Sequence, residues 1–103
     1  MSKSVCMPYY KKYEQANSKN DLEPNKPMLS WLASKKMVVL AKKGEIEQVV
    51  HFGYVGMEDY TTHCDDNRRK NYLARSGGIL DGSGNLTKDD IFSANYWSRK
   101  VLW

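Results

Sequence analysis

The feature that most constrains the fold is a β-hairpin pattern between about residues 36 and 52. A short apolar run at 37–40 is followed by a turn-forming stretch that contains Gly44, a residue that readily adopts positive φ. The chain returns through 46–52, where apolar and polar residues alternate at first and β-branched side chains are frequent. Because a lone hairpin is only marginally stable, the pattern also predicts a third strand or a covering helix.

Two helices are predicted after the hairpin. In residues 66–76 acidic residues precede basic ones, which suits the helix dipole. A short C-terminal helix is predicted within 93–103, with Ser93 as its N-cap. Between these elements, 57–64 is expected to be irregular and 76–88, rich in Gly, Ser, Asn and Asp, to be a loop.

The N-terminal part of the chain differs in composition from the rest. Residues 1–27 are polar and basic with interspersed tyrosines, and they end in a proline-containing stretch, which indicates an extended arm with one short helical turn. Trp31 is expected to pack on the sheet. A chain of 103 residues has room for one modest core. The prediction is therefore an α+β fold, with an arm at 1–27 and a single small domain at 28–103.

Composition limits the classes of protein that fit this chain. The longest apolar runs are far shorter than the ~18 residues that a membrane helix requires, and the N-terminus lacks a signal-peptide pattern. Cys6 and Cys64 are therefore expected to be reduced, with a disulfide as the alternative. The net charge of +4 fits contact with nucleic acid or with an acidic protein surface.

The strongest candidate binding surface combines the basic helix with aromatic residues near the C-terminal end. Arginine and lysine bind phosphates or carboxylates, tyrosine can stack on a base, and Trp, Tyr and Arg dominate the energetics of protein interfaces. A solvated helix face is the simpler alternative. The candidate binding residues from these two segments are Arg68, Arg69, Lys70, Tyr72, Arg75, Trp97 and Trp103.

The sequence favours none of three candidate chemical sites. Asp81, Ser83 and Asn85 alternate as in a calcium loop, but the glycine and the bidentate glutamate of an EF-hand are lacking. The histidines and cysteines lack the paired spacing of a zinc site. A metal-dependent nuclease would use His63, Asp65 and Asp66, yet capping the following helix already explains both aspartates. No catalytic residue, metal or cofactor is predicted, and the chain is not expected to be an enzyme.

The order of several short motifs resembles a protein family. These motifs are KKMVV at 35–39, HFG at 51–53, DYTTH at 59–63, the basic helix with Arg75, and YWS at 96–98 with the final VLW. In that order they are similar to an uncharacterised family of small proteins from tailed phages and large double-stranded DNA viruses, over about residues 27–103. Departures are Ser76, where the family commonly has histidine, and the Asn95-Tyr96 pair, where it has Gly-Phe or Gly-Tyr.

The resemblance implies a viral source, and it suggests a virion component whose fixed residues serve folding and docking. It adds His51, Phe52, Tyr60 and His63 to the candidate binding residues. The expected function is a minor virion structural protein, a capsid-, portal- or tail-associated adaptor made in the host cytoplasm and located in the virion. Its expected partners are other virion proteins, without membrane contact. A nucleic-acid-binding accessory protein is the alternative, and a nuclease is less favoured.

Overall fold

The computed structural model describes residues 7–103, and within them the chain forms the predicted α+β fold. A three-stranded antiparallel sheet has the order β1–β2–β3, with β1 at Met28–Leu29, β2 at Lys35–Lys43 and β3 at Ile46–Tyr54. The helices are α1 at Tyr9–Lys12, α2 at Tyr60–His63, α3 at Asp66–Ser76 and α4 at Ala94–Trp97, which continues as a π-helical segment at Ser98–Leu102. Short 3₁₀ turns lie at Lys19–Asp21 and Thr87–Asp89.

The hairpin β2–β3 confirms the prediction for residues 36–52. Lys43 pairs with Ile46, so the loop has two residues, and Gly44 at its first position has φ of +64°. Two-residue loops with glycine at that position match the twist of the flanking strands. The expected third strand is β1, whose two residues pair with Met37 and Val38 of β2.

Both faces of the sheet are covered, which explains the unbroken apolar run in β2. Alternate side chains of β2 point to opposite faces. One set packs with β3 and the helical side of the molecule, in a core of Met37, Val39, Ala41, Val50, Phe52, Trp97 and Leu102. The other set packs with the N-terminal arm, in a second core of Ala16, Leu22, Val38 and Leu40 with the half-buried Trp31 beside it. Trp31 therefore packs on the sheet as predicted.

The arm crosses the outer edge of β1. The Leu29 N–H donates to the Glu14 carbonyl over 2.7 Å, and the Ala16 N–H donates to the Leu29 carbonyl over 3.0 Å. Before this crossing, Tyr13 packs against the first core, and after it Ala16 is fully buried in the second. The predicted arm thus contributes to the core from Tyr9 onward, and its first six residues lie outside the described part of the chain.

The prediction that 57–64 is irregular is wrong for its second half. Helix α2 follows Asp59, whose N–H donates to the Thr62 hydroxyl over 3.2 Å while its carbonyl accepts the His63 N–H over 3.0 Å. A four-residue helix is too short for an apolar period, so the sequence pattern could not reveal it.

Helix α3 and the C-terminal helix begin as predicted. The Asp65 carboxylate accepts the Asn67 and Arg68 N–H groups, and the Ser93 hydroxyl accepts the Asn95 N–H over 3.1 Å. Arg99 joins the two elements, since its guanidinium donates to the Leu73 carbonyl and the Ser76 hydroxyl over 2.5 and 2.7 Å.

Cys64 is disulfide-bonded, so the expectation of a reduced thiol is wrong for this residue. That expectation used only the redox compartment suggested by the N-terminal sequence, and not the proximity that the fold creates. Cys6, the other cysteine of the chain, lies outside the described residues. No helix within residues 7–103 is long and apolar enough to span a membrane.

Candidate functional site: a basic, aromatic cleft

A cleft of about 380 Å³ lies where the end of the hairpin, helix α3 and the C-terminal helix meet. The first residue of β2, Lys35, and the last residue of β3, Tyr54, form one side. Helix α3 supplies Arg68, Tyr72 and Arg75, whose spacing of four and three positions places them on one helix face. The walls and floor of the cleft include the side chains of Lys35, Lys36, Tyr54, Met57, Glu58, Asp59, Arg68, Tyr72, Arg75 and Trp103.

Two cations of the cleft lack a carboxylate partner among the described residues, Lys35 and Arg75. The Lys35 ammonium lies 3.7 Å from the centre of the Tyr54 ring, and the Arg75 guanidinium lies 5.8 Å from the centre of the Tyr72 ring. Both cations thus rest on aromatic faces, which orient them without neutralising their charge. The cleft can therefore still attract an anion.

Arg68, by contrast, is paired. Its guanidinium donates to the Glu58 carboxylate over 2.8 Å on the exposed rim of the cleft. The hydrogen bond and the charge of Arg68 hold the pKa of Glu58 below its usual range. An exposed pair of this kind contributes little to stability and exchanges partners readily.

The floor of the cleft is a buried ion pair. The Lys36 ammonium lies 2.5 Å from the Asp59 carboxylate, with exposed fractions of 6% and 1% for the two residues. Lys36 also donates to the Met57 carbonyl, and the Thr61 hydroxyl donates to the other Asp59 oxygen. Each charge is therefore compensated inside the protein, and the pair connects β2 to α2.

Trp103 forms one wall of the cleft and is held from three directions. Its ring stacks on Tyr72 with centroids 4.1 Å apart and planes 10° apart. The Arg69 Nε–H donates to the Trp103 main-chain oxygen over 2.6 Å, and the centre of the His63 ring lies 5.1 Å from that of Trp103. The wall is thus preorganised rather than loose.

His63 is neutral by its hydrogen bonding. Its Nδ1 accepts the Asp65 N–H over 2.9 Å, so the ring proton belongs on Nε2, which is buried without a partner among the described residues. Burial and the charge of Arg68 lower the pKa of His63, although Glu58 and Asp65 act in the opposite direction. We therefore interpret this half-buried ring, which packs against Tyr60 and Trp103, as a packing residue.

The structure brings four predicted binding residues into the cleft: Arg68, Tyr72, Arg75 and Trp103. Arg69 contacts the Trp103 main chain but does not line the cleft, and Lys70 is exposed and does not line it either. The remaining predicted residues serve the fold. His51 contacts Ser30 and Trp31, Tyr60 donates to Asp66 over 2.7 Å and faces His63, and Phe52 and Trp97 stack inside the core.

Lys35, Tyr54 and Met57 belong to the cleft but were missed from the sequence. Lys35 and Tyr54 are direct partners in the β2–β3 register, so a hairpin register counted from the Gly44 turn would have placed them side by side. Met57 follows the second strand in a loop, and its sequence neighbours give no signal of its position.

The alternative chemical sites are not supported. The Asp81 carboxylate accepts the Ser83 and Asn85 N–H groups over 2.8 and 3.0 Å, so it closes its own loop. Asp65 caps α3, and Asp66 accepts the Tyr60 hydroxyl. Across residues 7–103 no group of three or more His, Cys, Asp or Glu side chains is arranged to hold a metal ion.

One family is similar to part of this chain. The profile of a family of unknown function, DUF5754, matches residues 29–76, slightly less than half of the chain. The match spans the hairpin, α2 and α3, and so includes every cleft residue described above except Trp103. Its description assigns no activity, source or partner. No curated protein and no solved structure gives a significant match.

Proposed function

We propose that this chain is a binding protein without catalytic activity that attaches to a larger assembly through the cleft, as a minor capsid-, portal- or tail-associated protein of a virion. The observation that carries the binding role is the pair of uncompensated cations, Lys35 and Arg75, each lying on a tyrosine ring in one cleft. Arginine, tyrosine, tryptophan and methionine are the side chains enriched at protein interfaces. The virion setting rests on the resemblance in motif order described above.

Binding is favoured over catalysis because both carboxylates that line the cleft are already paired. Lys36 and Asp59 neutralise each other, and Glu58 is paired with Arg68. A general base or nucleophile must instead be free to accept a proton or to attack the substrate.

The test is quantitative mass spectrometry of purified, nuclease-treated particles. The chain should be present at a fixed ratio to the major capsid protein. The double substitution Lys35→Gln/Arg75→Gln should lower that ratio, whereas Lys43→Gln/Lys70→Gln, which removes the same charge from exposed positions outside the cleft, should leave it unchanged. Absence of the wild-type chain from particles, or equal incorporation of both variants, would contradict the proposal.

Nucleic-acid binding is the second candidate, and the exposed Tyr54 ring beside Lys35 is the observation that favours it. Grooves for single strands combine cations with aromatic faces on which bases stack. Among the described residues, however, the cleft has two cations without a carboxylate partner, so the salt dependence of binding to a single strand in it would have a slope of only about −1.4, which is small for such proteins. Salt-dependent binding of oligothymidine near 50 mM salt that Lys35→Gln and Arg75→Gln abolish would favour this candidate.

A further inference from the structure

The cleft has an apolar lip beside its two unpaired cations. Tyr54, Val55 and Met57 are 64%, 55% and 67% exposed, and they follow one another at the end of β3. Tyr54 and Met57 also line the cleft. Exposed apolar side chains are common singly, but three within four positions beside a cleft form a surface that is stabilised when a partner covers it.

The lip and the cations lie next to each other, so they would contact a single ligand together. Lys35 joins the two, because its ammonium lies on the ring of Tyr54, a residue of the lip. Methionine adapts its shape to different apolar groups, which suits a side chain docking from outside. Gly56 lies between Val55 and Met57, with φ of +97° and no atom within 4 Å of the position that a Cβ would take. The lip therefore has no bulky side chain at its centre.

We propose that the occupant of the cleft is a short acidic segment of a partner protein that carries an apolar side chain. Its carboxylates would pair with Lys35 and Arg75, and its apolar side chain would cover the lip formed by Tyr54, Val55 and Met57. This inference rests on the proposed function, since it names the partner chemistry of the same cleft. A single-stranded nucleic acid would satisfy the cations and the tyrosine rings, but the aliphatic surfaces of Val55 and Met57 would gain nothing from its phosphates.

The test titrates the full chain with fluorescein-labelled probes and follows fluorescence anisotropy. The first probe is the peptide DDLFEDD. The matched probes are NNLFQNN, which removes the charge, DDSSEDD, which removes the apolar groups, and an oligothymidine of similar length. We expect DDLFEDD to bind roughly tenfold more tightly than each of the others, because each matched probe lacks one of the two contributions.

Matched protein variants localise the binding. Lys35→Gln/Arg75→Gln and Met57→Ser should each weaken DDLFEDD binding by roughly fivefold or more. The controls are Lys43→Gln/Lys70→Gln for charge and Ile79→Ser for an apolar residue that is exposed away from the cleft, and both should leave binding unchanged. Met57→Ser retains the main-chain carbonyl that Lys36 uses, so the floor of the cleft is preserved.

Several outcomes would overturn the inference. These are equal binding of all peptides, tighter binding of oligothymidine than of DDLFEDD, and a dimer that Lys35→Gln/Arg75→Gln abolishes, which would make a second copy the occupant. If particle attachment needs Lys35 and Arg75 but DDLFEDD neither binds nor competes, the occupant is wrong while the proposed function stands. If DDLFEDD binds as expected but Lys35→Gln/Arg75→Gln leaves attachment to particles unchanged, the proposed function is wrong.

Discussion

The Lys36 ammonium and the Asp59 carboxylate are 2.5 Å apart in the protein interior, and together they attach the loop before α2 to the second strand of the sheet. The two residues are 23 positions apart in the chain, so this contact fixes the position of the DYTTH segment relative to the hairpin. The floor of the cleft depends on that placement.

Breaking this pair from one side is expected to be strongly destabilising. Asp59→Asn or Lys36→Met each leaves one buried charge uncompensated, which costs about 3–5 kcal/mol of unfolding free energy. The double variant should cost less than the sum of the two by more than about 1 kcal/mol, because it removes both charges. Urea denaturation of the four chains measures this coupling. The exposed pair Lys42–Glu47, 3.8 Å apart, is the control, and its cycle should give a coupling below about 1 kcal/mol.

Gly53 is expected to tolerate no side chain. Its φ is +76°, and a Cβ there would lie 2.6 Å from the Leu102 Cδ1. Gly53→Ala should therefore lower the unfolding free energy by about 2 kcal/mol or more, through backbone strain and overpacking together. Gly56→Ala has the strain, at φ of +97°, but no atom within 4 Å, so it should cost about 1 kcal/mol. Equal losses for the two variants would show that the contact with Leu102 is unimportant.

The hairpin and α3 could be predicted from the sequence because their signals are local. The Gly44 turn, the β-branched returning strand and the charge order from Asp65 to Arg75 all lie within a few residues of the structure that they specify. The cleft could be predicted only in part. The sequence predicts its α3 side, because the helix is basic and aromatic. Its hairpin side depends on cross-strand register, and its floor depends on a contact between segments that are distant in the chain.

The role of the arm could not be predicted either, because it also depends on contacts between segments that are distant in the chain. The sequence predicts a separate extension at 1–27, because its composition alone cannot form a core. In the structure Ala16 and Leu22 complete a core that β2 begins, so the arm is necessary for one face of the sheet.

Removal of the arm is therefore expected to destabilise the rest of the chain. Deleting residues 1–26 would expose Val38 and Leu40, which are otherwise buried, and should lower the urea midpoint or abolish cooperative unfolding. Leu22→Ala should cost about 2–3 kcal/mol, whereas Tyr10→Ala, at a residue 54% exposed, should cost less than about 0.5 kcal/mol. An unchanged midpoint after the deletion would show that the arm is dispensable for folding.

Mild acid is expected to destabilise the protein through its two histidines. Burial lowers the pKa of both His51 and His63 in the folded state, with Lys35 acting on the first and Arg68 on the second. Below the ordinary histidine pKa of about 6.5, the unfolded chain therefore binds more protons than the folded chain. The unfolding free energy should be complete above about pH 7 and should decrease as the pH falls below about 6.5 toward the lowered folded-state values.

Urea denaturation between pH 7.5 and pH 5 measures this dependence, and His51→Gln and His63→Gln should each make it shallower. At His63 protonation would also break the hydrogen bond from the Asp65 N–H, so this variant should have the larger effect. A wild-type stability that is constant or rises on acidification over this range would refute the prediction.

Photo-crosslinking from Tyr54 shows directly whether the cleft holds a protein segment in assembled particles. Tyr54→p-benzoylphenylalanine places the probe on the lip, and the same probe at Ile79 is the control at an exposed position away from the cleft. After irradiation of assembled particles, mass spectrometry should find the Tyr54 probe joined to an acidic segment of a virion protein, with no such product from position 79. Crosslinks to nucleic acid alone, or equal products from both positions, would contradict the account.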